Sequence, residues 1–407
     1  MHPSLSIWRT SEFGSYLGTT GFSGMALAMQ QLLVSWILIG VLSLPADQVG
    51  LIQALVGIPG VVVMLVGGAS ADRVDARALL IKVYLIAPVL PLYLVYVEQA
   101  GSLSVLTVTL FGLGMSVVSS YSMPAQQALL NRVSGDQVQE AVTAASAIGF
   151  VVQIGGLIVA GQMETIGVSP VLVFQAVSLA LAGILMFRVS KLDPKQNSAK
   201  ASPIKEIWAG LLATYQDKVI LNILSINFVS SIFNAGAFMT VYPFIIKRVY
   251  DGDAFILSVL MAIFFAGAAV SNALLLKFMP LRSPGKVFLI MQLSRIIVLV
   301  VLWLQPAWWL LVVATIGWGL NMGVTTNLAR AIVQESAQEA YRGRILSAFS
   351  VGMLGSAPIG AILLGWLTEE YGTSDALVPA MFVSFFLFLY GARYTSVWRY
   401  QSEVWRV

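Results

Sequence analysis

Long apolar runs alternate with short polar clusters along almost the whole chain of 407 residues. A helix rises about 1.5 Å per residue, so about 20 apolar residues cross the roughly 30 Å hydrocarbon layer of a bilayer. On that measure the pattern predicts spans near 16–42, 48–71, 78–97, 103–123, 138–163 and 168–188. A second set follows near 219–246, 254–276, 286–304, 307–329, 343–368 and 376–396. The longest polar connection, Ser190 to Asp217, holds Asp193, Pro194, Lys195, Gln196, Asn197, Ser198 and Lys200. It divides the chain into residues 1–189, a linker 190–217 and residues 218–407. The expected fold is an all-α integral membrane protein with 12 transmembrane helices in two six-helix halves, a recurring plan for secondary transporters. A weak internal repeat agrees: Gly156 and Gly161 in span 5 recur as Gly360 and Gly365 in span 11, at a common offset of 204 residues. Trp303, Trp308 and Trp309 flank the Gln305–Pro306 turn, and Trp398 and Tyr400 follow the last span. Aromatic residues in those places fit an interfacial belt.

Charge adds orientation. Of the 23 Lys and Arg residues, all except Lys247, Arg248 and Arg295 fall on one side of the span pattern. Basic residues accumulate in cytoplasmic loops, so both termini and the linker are expected in the cytoplasm; the expected location, a separate expectation, is a bacterial inner (plasma) membrane. Composition closes other classes. Charged residues make up 10% and apolar residues 58%, against a soluble norm of about 25% charged. Mean hydropathy is +0.85 and the pI about 9.2; the basic balance belongs to lysines and arginines facing the anionic leaflet, and nucleic acid is not an expected partner. There is no cysteine, which excludes disulfides, thiolate metal sites and cysteine nucleophiles. The first apolar stretch is too long for a cleavable signal and is expected to remain as a membrane helix.

After span 2 the chain reads Gly67-Gly68-Ala69-Ser70-Ala71-Asp72-Arg73-Val74-Asp75-Ala76-Arg77. Taken alone this is a tight cytoplasmic turn with positive-inside charges. In a twelve-span context it resembles motif A of the major facilitator superfamily, roughly G-x-L-A-D-R-x-G-R-K. Gly68, Ala71, Asp72, Arg73 and Arg77 match, while Asp75 and Ala76 replace the family's Gly and Arg. The resemblance implies a gate in which Asp72 bonds toward the start of span 11, where Arg342 and Arg344 are suitable partners. An aspartate near a helix N-terminus is also favoured by the macrodipole, by about 0.3–1 kcal/mol.

A narrower resemblance rests on Ser122-Met123-Pro124-Ala125-Gln126-Gln127-Ala128-Leu129-Leu130 with the following Val138 to Gly161, and on Arg342-Gly343-Arg344-Ile345-Leu346-Ser347 running to Pro358 and Gly360. These segments are similar to the macrolide-efflux and enterobactin-exporter branch, which implies export of amphipathic compounds. Lysophospholipid transporters look related. Two departures stand out: Gly156-Leu157-Ile158-Val159-Ala160-Gly161 lacks the proline of the branch's antiporter motif, and span 4 has no arginine in the motif B place.

Within the spans, Arg295 is the sharpest residue. It lies nine residues past Lys286, about 13 Å into the membrane. An arginine at that depth costs on the order of 2.5–3.5 kcal/mol on insertion scales, so it should face protein or water. Three readings fit: a structural role bonding carbonyls or Gln292, snorkelling toward the cytoplasm, or contact with an anionic or acceptor-rich cargo. Gln30, Gln31, Gln53, Gln153, Asn227, Asn234, Asn272 and Asn321 are also near mid-span. Interhelical hydrogen bonding, about 0.6 kcal/mol each, accounts for such amides. The resemblance adds that spans 1, 2, 4, 5, 7, 8, 10 and 11 line a central cavity and puts span 9 on the periphery. Gln30, Gln31, Gln53, Gln153, Asn227, Asn234 and Asn321 are the candidate cargo contacts on those lining spans, and Arg295 of span 9 is a candidate by its depth alone.

None of the 19 acidic residues lies deep in a span, and the one histidine is His2. Proton relays normally use intramembrane Asp, Glu or His, so the coupling ion stays open between proton and sodium, with Glu12 or Glu140 as candidates. A neutral or anionic amphiphile is favoured over a cationic drug. No Gly-x4-Gly-Lys-Ser/Thr phosphate loop is present, against an ATP-driven pump. No cofactor and no catalytic cluster is expected. The expected protein is a monomeric, gradient-driven exporter. A lipid or lysophospholipid transporter and a non-transporting sensor are the alternatives.

Overall fold

In hydrocarbon every backbone N–H and C=O must be satisfied within its own segment, so an apolar run of this length becomes a helix. The computed structural model describes residues 10–71, 75–135, 137–191, 212, 214–215, 217–338 and 342–402, without the side chains of 63–71, 138–139 and 342–344. Its long helices are α1 Ser11–Val41, α2 Ala46–Ala71, α3 Ala76–Gln99, α4 Val105–Val133, α5 Val138–Gly161, α6 Val168–Met186, α7 Lys218–Val249, α8 Ala254–Phe278, α9 Pro284–Trp303, α10 Trp308–Ser336, α11 Arg342–Tyr371 and α12 Val378–Tyr394. All but α2 are long and apolar enough to cross a membrane among the described residues; the described apolar part of α2 is Ala46–Val62.

Two predicted ends move. The run 103–123 continues as helix to Val133 and the run 307–329 to Ser336. Beyond each apolar window come strong helix formers such as Ala125, Gln126, Gln127, Ala128, Leu129 and Leu130. Their amides end the hydropathy signal without ending the helix. The starts are set by side chains: Ser104 accepts from the Thr107 N–H in a capping box, and Asp217 accepts from the N–H groups of Val219 and Ile220.

Prolines and wide turns mark the irregular places. In α3, Pro91 has no N–H for the Ala87 carbonyl, which accepts instead from Leu90 at 3.0 Å, and the helix is interrupted at Ala87–Pro88. The last turn of α1, Ile37–Val41, is π-helical, with Leu42 N–H reaching Ile37 O at 2.8 Å. Gly40 lies against the Trp36 indole there, where a Cβ would sit 2.5 Å from Nε1, and the indole is fully buried. In α7, π turns at Ala237–Val241 and Ile245–Val249 flank Pro243.

The helices form two compact units, but the division does not fall at the linker alone. The first holds Met1–Leu42, Pro59–Pro203 and Asp253–Val259; the second holds Ser43–Ile58, Ile204–Gly252 and Leu260–Val407. The repeated glycines explain both exchanged stretches. In the first unit, a Cβ on Gly156 would stand 2.5 Å from the Met25 carbonyl of α1, and Gly161 abuts Ser258 and Phe255 at the start of α8. In the second unit, Gly360 abuts the Ile232 carbonyl of α7, and a Cβ on Gly365 would stand 2.6 Å from the Ala46 carbonyl at the start of α2. The first glycine of each pair seats its helix on the leading helix of its own half. The second seats the opening turns of α8 or α2. Small residues permit such backbone approach between membrane helices.

Candidate functional site

The second unit has a polar centre inside apolar packing. Arg295 of α9 is 4% exposed. Asn321 Oδ1, from α10, accepts from its Nε at 3.3 Å and its NH2 at 3.2 Å. Its NH1 donates to Ser230 Oγ of α7 and to Gln292 Oε1 at 3.3 Å. Ser230 Oγ donates in turn to Gln292 Oε1 at 3.0 Å. Asn321 Nδ2 closes the network, donating to Met291 O at 2.6 Å and Ser294 Oγ at 2.7 Å. Arg295 and Asn321, both candidate cargo contacts, are therefore direct partners, and Gln292 is the expected neighbour one turn earlier.

An aromatic block occupies the same unit. Phe238 stacks on Phe264 at 3.9 Å between centroids, and Trp318 meets both rings edge-on. The Trp318 Nε1 donates to Asn234 Oδ1 at 2.8 Å. Asn227 Nδ2 donates to Met353 Sδ at 2.7 Å. Gln53 of α2 also works here. Its Nε2 donates to Met239 O at 3.2 Å and its Oε1 accepts from Thr240 at 2.7 Å. Pro243 has no N–H for that Met239 carbonyl four residues back, and Gln53 supplies one.

Among the described residues, the polar groups near mid-span in the first unit are neutral. Gln175 of α6, fully buried, donates to Ala26 O at 2.8 Å and to Gln30 Oε1 at 3.3 Å. Gln126 of α4 donates to Ser23 Oγ at 2.9 Å and Tyr84 OH at 2.5 Å. Gln31 and Gln153 are half-buried in α1 and α5. The structure thus brings Arg295 to Asn321, leaves Gln30, Gln53, Asn227 and Asn234 in separate pairs, and adds Ser230, Gln175, Gln126 and Trp318. Gln175 carried a readable signal, an amide in the middle of an otherwise apolar run. Ser230 carried none, because serine is common in membrane helices and its role comes from the chain across from it.

Glu369, near the end of α11, accepts from Arg248 at 3.1 Å and from the Ala46 N–H, which opens α2, at 3.0 Å. In the first unit Glu164 accepts from Trp36 Nε1 at 2.5 Å. The expected gate is only partly visible. Asp72 and Arg73 lie outside the described residues, and Gly68, Arg342 and Arg344 lie in α2 and α11 with side chains outside them. Arg77 is described: it donates to the Phe187 carbonyl at 3.1 Å and to that of Val189, tying the start of α3 to the chain just past α6.

Comparison with known proteins follows the same lines. Residues 4–396 match the profile of the family described as "Transmembrane secretion effector", within the major facilitator superfamily. No curated protein sequence matches. Among solved structures the chain is similar to the nucleoside transporter NupG, with a TM-score of 0.73, 16% identity, and coverage of 95% of this chain and 99% of that one. It is similar to a bacterial homolog of the human lysosomal transporter Spinster in an inward-facing, unoccupied conformation, at TM-score 0.68, 13% identity and 96% of each chain. A mutant of the peptide transporter POT follows at TM-score 0.68, 13% identity and 95% of each chain. At these identities the likeness is one of fold.

Proposed function

Since the chain belongs to the transmembrane secretion effector family of the major facilitator superfamily, we propose that this multi-pass transporter exports an amphipathic small molecule, neutral or anionic, from the cytoplasm by alternating access. The observation that carries the reading is the family match across residues 4–396. The distribution of polar groups supports the class of cargo: amides, hydroxyls and aromatics fill the interior, and the acidic residues described in the structure stand near helix ends. Such a lining suits an amphiphile and offers no carboxylate to a cationic drug.

An ion gradient drives the cycle in this reading, with a proton or sodium as the coupling ion, and the protein works as a monomer in a bacterial inner membrane with both termini in the cytoplasm. Gly68, Asp72, Arg73, Arg342 and Arg344 form the cytoplasmic gate, and Arg77 anchors its loop to the end of α6. Gln30, Gln31, Gln53, Gln153, Asn227 and Asn234 supply cargo contacts when their helices move. Arg295 and Asn321 form part of the wall behind them. Alternating access asks helices to exchange partners, and α2, with Pro59 where it passes from one unit to the other, is suited to bend there.

The test is transport into proteoliposomes with an imposed pH or sodium gradient, screened over siderophores, macrolides and lysophospholipids. Acceleration of one cargo class by one gradient supports the reading. Gradient-independent equilibration of every class would remove the coupling. Asp72→Asn should lose most transport while still inserting in the membrane; full transport by that variant would remove the gate.

A further inference from the structure

The second unit buries a positive charge that forms no ion pair with a carboxylate among the described residues. Arg295 is 4% exposed, and the side chains that accept from it, Asn321, Ser230 and Gln292, are all neutral. A guanidinium has five N–H groups and accepts nothing. Asn321 Oδ1 takes the Nε hydrogen and one on NH2, while Ser230 Oγ and Gln292 Oε1 take the two on NH1. One NH2 hydrogen is left without an acceptor among the described residues. Beside it is a second surplus donor: Gln292 is fully buried and its Nε2 has no partner.

Turning the Gln292 amide over does not help. Its oxygen already receives Ser230 and Arg295, and a flip would point an N–H at a guanidinium that only donates. Asn321 is fixed for the same reason, with its oxygen on Arg295 and its nitrogen on Met291 O and Ser294 Oγ. The network is therefore locked with a net positive charge and an excess of donors in an apolar interior. An isolated charge is strongly disfavoured in such a place unless an opposite charge joins it.

We infer that this centre is a binding site for a small monovalent anion of the halide or short-carboxylate class, held by the free guanidinium N–H and the Gln292 amide. Near-complete burial favours an ion over the head group of a bulky cargo. The site needs no contact with the transport path and stands apart from the cargo reading.

The test uses the purified full chain in detergent, with gluconate as the starting anion, titrated with bromide, chloride or formate at constant ionic strength. A ligand that binds only the folded state raises Tm in a saturable way. The expected result is a rise of several degrees with each of the three anions, absent in Arg295→Gln. In Gln292→Leu the half-saturating concentration should rise about tenfold or more, as loss of a hydrogen bond to a charged group implies. Should Arg295→Gln fail to accumulate, Gln292→Leu and an anomalous bromide peak beside Arg295 in a crystal carry the test. An unchanged wild-type Tm across all three anions overturns the inference, as does an equal response in wild type and Gln292→Leu. Stabilisation by long-chain carboxylates alone would also overturn it, assigning the centre to cargo.

Discussion

The third helix of each half makes the sharpest contrast in the molecule. In the first half, α3 is broken at Ala87–Pro88, and Leu85, Ile86, Val89, Leu92, Tyr93 and Tyr96 are exposed apolar surface. In the second half, α9 is continuous, and its buried Gln292 and Arg295 join α7 to α10. The glycines show the opposite relation. Gly156 and Gly360 approach the carbonyls of Met25 and Ile232, and Gly161 and Gly365 receive the starts of α8 and α2. The backbone scaffold is repeated while the interior chemistry is not. A duplicated fold keeps the close backbone approaches on which its packing depends, and is free to place charge in one copy only.

The largest effects test the shared part. Gly156→Leu and Gly360→Leu should each abolish accumulation of monodisperse protein, read by size-exclusion of a fluorescent fusion. Overpacking a tight site costs about 1–3 kcal/mol or more, and here the obstacle is a carbonyl that cannot move without bending its helix. If one variant is tolerated and the other is not, the two glycines are not structural equivalents.

The next effect tests the unshared part. Arg295→Leu removes the charge and leaves Asn321 Oδ1 and Ser230 Oγ without their donor, while Gln292 Oε1 keeps the Ser230 hydroxyl. Each orphaned acceptor costs about 1–3 kcal/mol, offset by relief from burying a cation. A net loss of about 1–3 kcal/mol is expected, visible as a lower Tm. An Arg295→Leu protein as stable as the wild type would mean that the network adds nothing to the second half.

Much of this was legible beforehand, and the limits are instructive. Helix number, the glycine offset and the unusual depth of Arg295 follow from local properties: hydropathy, identity and position. Gln292 was readable as a partner because one helical turn connects it to Arg295. Ser230 and Asn321 as its further partners were not, because they depend on how α7 and α10 pack against α9. Gln53 shows the same limit, since its bond to the Met239 carbonyl, which Pro243 cannot serve, depends on how α2 meets α7. The extra turns of α4 and α10 were missed because hydropathy reports burial in lipid rather than helix formation.

A smaller effect belongs to the outer turns. Glu369→Ala removes an ion pair whose side chains are 38% and 41% exposed, together with the acceptor for the first N–H of α2. Exposed pairs contribute about 0.2–1 kcal/mol and lost caps about 0.5–2 kcal/mol. Glu369→Gln keeps an acceptor for Ala46 and should lose only the lower part. Since the chain has no cysteine, a single Ser43→Cys reports the loosening directly: its maleimide labelling should rise more in Glu369→Ala than in Glu369→Gln. Equal labelling in the two would assign the whole effect to charge.

The smallest effect returns to the neutral centre of the first half. Gln175 donates to Ala26 O and Gln30 Oε1, while its own Oε1 and the Gln30 Nε2 are buried without partners. Gln175→Leu gives up two interhelical bonds of about 0.6 kcal/mol each; it removes one orphaned acceptor and takes the donor from another, the half-buried Gln30 Oε1, so only a small net loss remains. Tm should change by no more than a degree or two, far less than for Arg295→Leu. A drop as large as that of Arg295→Leu would show that the neutral pair holds α1 to α6 as firmly as the charged network holds α7, α9 and α10, and the contrast between the halves would then reduce to charge without a difference in strength.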